Sequence, residues 1–239
     1  GECEAPADYC DDNTDCNTEN DCMICDTSSH SCKDGCKRVE YLESTGTQWI
    51  DTGVYPTQLT EAEYRCAVTG SVAQADSHLF GSRLSASSEA FDLAYMNMTP
   101  SNGLEKFRFI HGTTTTQETT TSMKASQLAN PHTYYMSGTS LKVDGSEKLS
   151  FTTASFTGSY SLWLFGVNNA GSLHNQVRAQ SVYYCKIWDN GTLVRDFIPV
   201  LSPQIGEEER KACMFDKVSK KLFCNAGSGT FKTNLNVST

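Results

Sequence analysis

Seven of the eleven cysteines in this 239-residue chain fall within its first 36 residues. They are Cys3, Cys10, Cys16, Cys22, Cys25, Cys32 and Cys36, and Tyr9, Met23 and Ile24 are the main apolar residues among them. So short and polar a stretch cannot bury enough apolar surface to fold unaided, so bridges or a metal must hold it. The same stretch carries ten acidic residues against one base, Lys33, a charge of −9 that equals the charge of the whole chain. The chain's 28 acidic and 19 basic residues thus leave 18 of each sign for everything after residue 36. No region has a basic surplus to neutralise phosphates, which excludes nucleic acid as a partner.

Cysteine crowding points to an oxidising compartment, hence a secreted or cell-surface location. The opening Gly1-Glu2-Cys3-Glu4 is acidic and polar, unlike a signal peptide. No apolar run approaches the ~18 residues that a membrane helix needs. The expectation is a leader or membrane segment already removed, or a portion of a longer protein.

Two metal readings compete with disulfides in this module. Cys22-x-x-Cys25 with His30, Cys32 and Cys36 has a spacing that zinc accepts, yet it orphans Cys3, Cys10 and Cys16, and disulfides are the better account. Asp11, Asp12, Asn13, Asp15 and Asn17 offer closely spaced oxygens for a weak calcium site. They lack the EF-hand spacing and its glycine, and the plainer reading is a solvated acidic surface. Seven is an odd number: three bridges leave one thiol, free or joined to a partner chain, and the spacing does not fix the connectivity.

A boundary falls near Lys37-Arg38, giving an acidic Cys-rich module over 1–37 and a β domain over 38–239. Beyond it come short strand-like runs: Gln48–Thr52, Glu61–Thr69, His78–Ser82, Phe91–Met96, Lys106–His111, Thr133–Ser137, Ser140–Val143, Ser161–Asn168, Arg178–Asp189, Thr192–Pro199, Lys211–Phe215 and Lys221–Asn225. Asp144-Gly145 and Asn190-Gly191 sit between such runs, the strongest short hairpin signal. A single helical turn is expected near Ser122–Leu128. The Thr-rich Thr113–Thr121 reads better as a strand or loop than as a mucin-like linker. The fold class is all-β, a two-sheet antiparallel sandwich or jelly roll. Cys213 and Cys224 flank a hairpin centred at Val218-Ser219, which sets them opposite each other and predicts a disulfide.

Nothing in the pattern carries catalysis. Retaining glycosidases need two carboxylates about 5 Å apart, read on a strand as alternating acids. Glu61-Ala62-Glu63 sits at the end of a polar turn, Glu89 and Asp92 have the wrong parity, and Glu207-Glu208-Glu209 reads as an exposed loop. His30, His78, His111, His132 and His174 are scattered and pair with no nucleophile motif.

Several segments resemble a known family. VEYLESTGTQWIDTGV (39–54), SLWLFGVNNAG (161–171), YYCKIWDNGTLVRDFIPV (183–200) and MFDKVSKKLFCNAGSGTF (214–231) look like the opening and closing strands of bacterial LamG-like, concanavalin A-like lectin/glucanase domains. The match spans 39–231, with 70–155 alike only in strand rhythm. CMICDTSSHSCKDGC (22–36) is similar, less specifically, to short Cys-repeat modules of bacterial surface proteins, some pilin-like. The resemblance implies a jelly-roll sandwich and a surface role in glycan or protein binding. Such domains usually carry a Gly before the closing aromatic-Asp pair; here Lys211-Ala212-Cys213-Met214-Phe215-Asp216 suggests that a disulfide has replaced an ordinary strand pair. The fold makes early and late strands neighbours, which implies a second bridge, Cys66–Cys185.

Sugar binding needs an exposed aromatic and planar polar groups on a rim or sheet. The candidates are Tyr55, Arg83, Tyr95, Asn168 and Asn169, with Trp188 at a rim beside Asn190-Gly191 or packed beneath that hairpin. Trp49, Trp163 and Phe165 read as core. Two functions remain: a non-catalytic glycan- or protein-binding adhesin domain, or a structural subunit or decoration of a surface appendage such as a pilus. In the second, copies of the chain assemble, and the tail Thr233–Thr239 is short and β-prone enough to serve as an edge strand.

Overall fold

A computed structural model describes residues 22, 24–26, 28–33, 35–70, 76–99, 104–117, 123–153, 155–203 and 209–235. The strands β1 (Ile24–Asp26), β2 (Ser31–Lys33), β3 (Lys37–Arg38), β4 (Leu42–Ser44) and β5 (Ile50–Asp51) are short. Four long strands follow: β6 (Thr60–Val68), β7 (Asp76–Arg83), β8 (Ala90–Thr99) and β9 (Leu104–Gly112). Then come β10 (Thr114–Gln117), β11 (Met123–Lys124) and a single helical turn, α1 (Ala125–Leu128). The next group is β12 (His132–Met136), β13 (Ser140–Val143), β14 (Ser146–Ser150), β15 (Trp163–Leu164), β16 (Gly166–Asn169) and β17 (Ser172–Leu173). The chain closes with β18 (Gln180–Asp189), β19 (Thr192–Leu201), β20 (Ala212–Asp216), β21 (Lys221–Cys224) and β22 (Lys232–Thr233).

β1 and β2 pair only with each other, and the other strands make two large sheets, antiparallel but for the β16–β7 pair. The nine-stranded sheet runs β10-β9-β8-β7-β15-β5, with β11, β16 and β17 attached. The eleven-stranded sheet runs β14-β13-β12-β6-β18-β19-β20-β21, with β3, β4 and β22 attached. The strand β6 shows why they face each other: Thr60, Ala62, Tyr64 and Cys66 are buried while Glu61, Glu63 and Arg65 are only half-buried. That period of two is what one buried face demands. Tyr64 of the eleven-stranded sheet stacks on Phe80 of the other at 5.0 Å between ring centroids. Tyr95 and Tyr134 hydrogen-bond hydroxyl to hydroxyl across the same interior. The chain is therefore a two-sheet β-sandwich. Among the described residues no helix is long and apolar enough to cross a membrane.

Both expected hairpins form. Asp144-Gly145 and Asn190-Gly191 have positive φ at each residue (51° and 78°, 46° and 75°), the backbone of a tight two-residue turn. The third hairpin has a different cause. The buried Asp216 carboxylate accepts from the Val218 and Ser219 amides at 3.1 Å each and from the Ser219 hydroxyl, pinning the four-residue turn between β20 and β21. This register sets Cys213 opposite Cys224, and the two are bridged.

The bridge expected between Cys66 and Cys185 does not form; both are buried free thiols. In the register of β18 on β6, Cys66 faces Val182 and Cys185 faces Tyr64, two residues along from Cys66. Diagonal neighbours of this kind lie about 7–8 Å apart, beyond what a disulfide spans.

In the N-terminal module Cys22 is bridged to Cys36, and the Cys36 amide bonds the Cys22 carbonyl. This removes two ligands from the zinc alternative. The pair packs on Val200 and Phe215, on the face of β19 and β20 turned away from the interior. Cys25 and Cys32 are directly opposed in the β1–β2 register. Cys3, Cys10 and Cys16 lie outside the described residues, as do Asp11, Asp12, Asn13 and Asp15. Thr233, the first residue of the tail, pairs with Leu42 of β4 beside the Lys232–Glu43 pair, and 236–239 lie outside the described residues.

Candidate binding site

The six residues expected to bind are not brought to one place. Tyr95 is wholly buried, its hydroxyl spent on Tyr134. Asn168 is 3% exposed and holds a turn, donating to the Ser161 carbonyl and accepting from the Gly171 amide at 2.8 Å. Arg83 and Asn169 do meet, through a 2.9 Å bond from Nε to Oδ1. Tyr55 is 57% exposed, on the loop leading into Gln58 and Leu59. Trp188 is half-buried and stands opposite Glu61 in the β18–β6 register.

His78, Asp92, Arg108 and His174, far apart in sequence, complete the surroundings of Arg83. Asp92 alternates with the core residues Phe91 and Leu93, so it lies on the face of the nine-stranded sheet turned away from the interior. Its carboxylate takes His78 Nδ1 at 2.8 Å and Arg83 Nη1 at 3.1 Å. Arg108 Nη2 approaches His78 Nε2 at 3.2 Å, and the His174 ring lies 4.0 Å from that of His78. Burial alone would raise the Asp92 pKa, but His78 and the two guanidiniums outweigh it and hold it below the ordinary carboxylate range. Burial, then its cationic surroundings, hold His174 down to about 4.

This cluster is closed. His78, Arg83, Asp92 and Arg108 are all under 9% exposed. The segment 172–179 lies over the sheet, with the His78 amide bonded to the Gln176 carbonyl at 2.8 Å. A Cβ on Gly166 would meet Leu173 at 2.6 Å and Val177 at 2.8 Å, so the cover sits directly on the backbone. His78 spends both ring nitrogens inside the cluster and presents neither as a base to an incoming molecule. Of Trp49 and Trp163, both expected in the core, Trp163 is buried and Trp49 half-buried, and they stack on each other at 3.5 Å. Each precedes a core residue, Ile50 or Leu164, and so points to the sheet's other face.

The outer face of the eleven-stranded sheet holds an open polar groove of about 370 Å³. Glu61, Tyr135 and Lys142 line it, and the last two belong to a row of registered side chains that runs on beyond the groove. Lys142 of β13 faces Tyr135 of β12, which faces Glu63 of β6, which faces Lys186 of β18. Glu61, two residues before Glu63 and on its face, accepts a short hydrogen bond from the Tyr135 hydroxyl. The Lys142 ammonium lies over the Tyr135 ring, 5.5 Å from its centroid. Partial burial, the bond to Glu61 and the charges of Glu61 and Glu63 push the Tyr135 phenol up to about 12, so it stays a donor. Glu61 and Glu63, which the sequence places at a turn's end, are therefore neighbours on one strand face.

The walls are turns tied to themselves. Ser137 Oγ accepts from the Ser140 amide at 3.2 Å, and Thr153 Oγ1 donates to the Gly138 carbonyl at 2.7 Å. On the other side the Asn190 amide bonds the Leu59 carbonyl at 3.3 Å. Leu59 is 49% exposed and forms the apolar rim. A larger depression between 209–212 and 224–231 borders residues outside the described set. Among the described residues no three His, Cys, Asp or Glu side chains are arranged to hold a metal.

Neither the models of known protein families nor the curated proteins include a match to this chain.

Proposed function

We propose that this chain is a non-catalytic binding domain of a secreted or cell-surface protein, adhesin-like, taking a glycan or protein ligand. The observation that carries this reading is the open groove of Glu61, Tyr135 and Lys142, with Trp188 beside it in register. Its polar groups face outward from turns tied to themselves, whereas the His78–Asp92 pair on the opposite sheet is closed over. The resemblance of 39–231 to LamG-like, concanavalin A-like domains supports the same class, and the two disulfides fit an oxidising compartment.

The test is to present the immobilised full chain to arrays of glycans and of extracellular proteins. Saturable binding to either supports the reading, and saturable binding to neither sinks it. Release of smaller sugars from any arrayed glycan, seen by mass spectrometry, overturns its non-catalytic part.

A second reading, a subunit or decoration of a surface appendage, draws on the cysteine count. The Cys22–Cys36 bridge leaves five cysteines in the module, still an odd number. A covalent dimer on non-reducing electrophoresis favours that reading.

A further inference from the structure

Resting on the binding reading above, we propose that the groove at Glu61, Tyr135 and Lys142 takes a neutral sugar residue, gripped by two adjacent hydroxyl groups. The charges argue for neutrality. The groove's two charged lining residues, Glu61 and Lys142, are of opposite sign. An anionic ligand meets a carboxylate there and a cationic one meets an ammonium group, so neither gains on balance.

The donors and acceptors argue for hydroxyl groups. One Glu61 oxygen takes the Tyr135 hydroxyl, and the carboxylate keeps further acceptor sites. Lys142 offers ammonium protons from over the face of the same ring. A sugar hydroxyl can donate to the first and accept from the second, and both bonds are charge-assisted. An amide can do only one of these at each atom, so a peptide fits the pair less well. Leu59 on the rim supplies apolar surface on which the C–H face of a pyranose can rest. The wall turns are internally bonded, so little order has to be bought on binding.

The experiment uses the full chain, labelled with nitrogen-15, in amide-shift titrations at millimolar ligand. The neutral probes are maltotriose, cellotriose, laminaritriose and mannotriose; the charged probes are sialyllactose and a tetra-arginine peptide. At least one neutral trisaccharide should shift the amides of 58–61, 137–140 and 190–191. Glu61→Ala and Lys142→Ala should each weaken that binding at least about tenfold, with amide signals elsewhere unchanged as proof of folding. Preference for a charged probe, shifts confined to another surface, or no response to any neutral sugar overturns the proposal. If the arrayed ligand of the previous section still binds the Glu61→Ala, Lys142→Ala double variant, this groove is wrong and the wider binding reading survives.

Discussion

At Gly81 the backbone leaves no room for any side chain. Its φ is +133°, and a Cβ there would lie 1.8 Å from the Phe91 carbonyl oxygen on β8. A backbone atom cannot swing aside, so Gly81→Ala must push β7 from β8 at the centre of the nine-stranded sheet. The expected loss is at least about 3 kcal/mol, read as a lower urea midpoint; a loss under about 1 kcal/mol would contradict the packing. Tyr64 makes a subtler demand. Its buried hydroxyl donates to Gln180 Oε1 at 2.8 Å, while Gln180 Nε2 donates to the Leu79 carbonyl at 3.0 Å. Tyr64→Phe fills almost the same volume but orphans a buried acceptor. It should cost about 1–3 kcal/mol in the same denaturation experiment.

The Cys213–Cys224 bridge closes the β20–β21 hairpin, an edge of the eleven-stranded sheet. Replacing both cysteines by alanine should cost about 2–3 kcal/mol, seen as a lower melting temperature. Cys66 and Cys185 behave oppositely. They should resist thiol labelling in the native protein and label without reductant once it is unfolded; two alkyl groups on the intact mass beyond those the native protein takes up would show this. Local chemistry explains which elements were legible in the sequence. Asp144-Gly145, Asn190-Gly191 and the Asp216 turn each specify themselves within a few residues. The register of β18 on β6 does not, and it sets Cys185 opposite Tyr64 rather than Cys66. The cluster of His78, Asp92, Arg108 and His174 was hidden for a similar reason: its members come from three strands and a loop, and only the pairing of the strands brings them together. Trp188 was legible as a residue at a rim or beneath a hairpin because it adjoins a hairpin signal, and it is half-buried opposite Glu61. Its neighbours Tyr135 and Lys142 were not, since a lone half-buried tyrosine on a strand looks the same whether or not a groove lies above it.

For the molecule as a whole, acid is the informative stress. His111 is fully buried among Phe91, Phe109, Phe151 and Phe156, and burial holds its pKa down to about 4. The unfolded chain takes up this proton near 6.5, the folded chain only near 4. Stability is therefore full above pH 6.5 and falls as pH drops towards 4, by on the order of 2–3 kcal/mol from this residue. His174 adds to the fall in the same window and with the same sign. The Asp92 carboxylate, held low, adds a loss only at more acid pH. His111→Phe should flatten the urea midpoint between pH 6.5 and 4 relative to the parent; an unchanged slope would mean that another group governs it.

The Cys22–Cys36 bridge also sets how the sandwich would bear a load. A pull on the chain ahead of Cys22 crosses two sulfur atoms to Cys36 and enters β3 directly, leaving 23–35 slack. β3 hands the tension to β19 through the pairs of Arg38 with Val200 and Lys37 with Leu201. β19 lies inside the eleven-stranded sheet, between β18 and β20, so the force enters a strand held on both sides. The groove sits on the same outer face, several strands away across β18 and β6. A ligand held there would pull against the tether through the sheet's own hydrogen bonds, with the packed interior behind them.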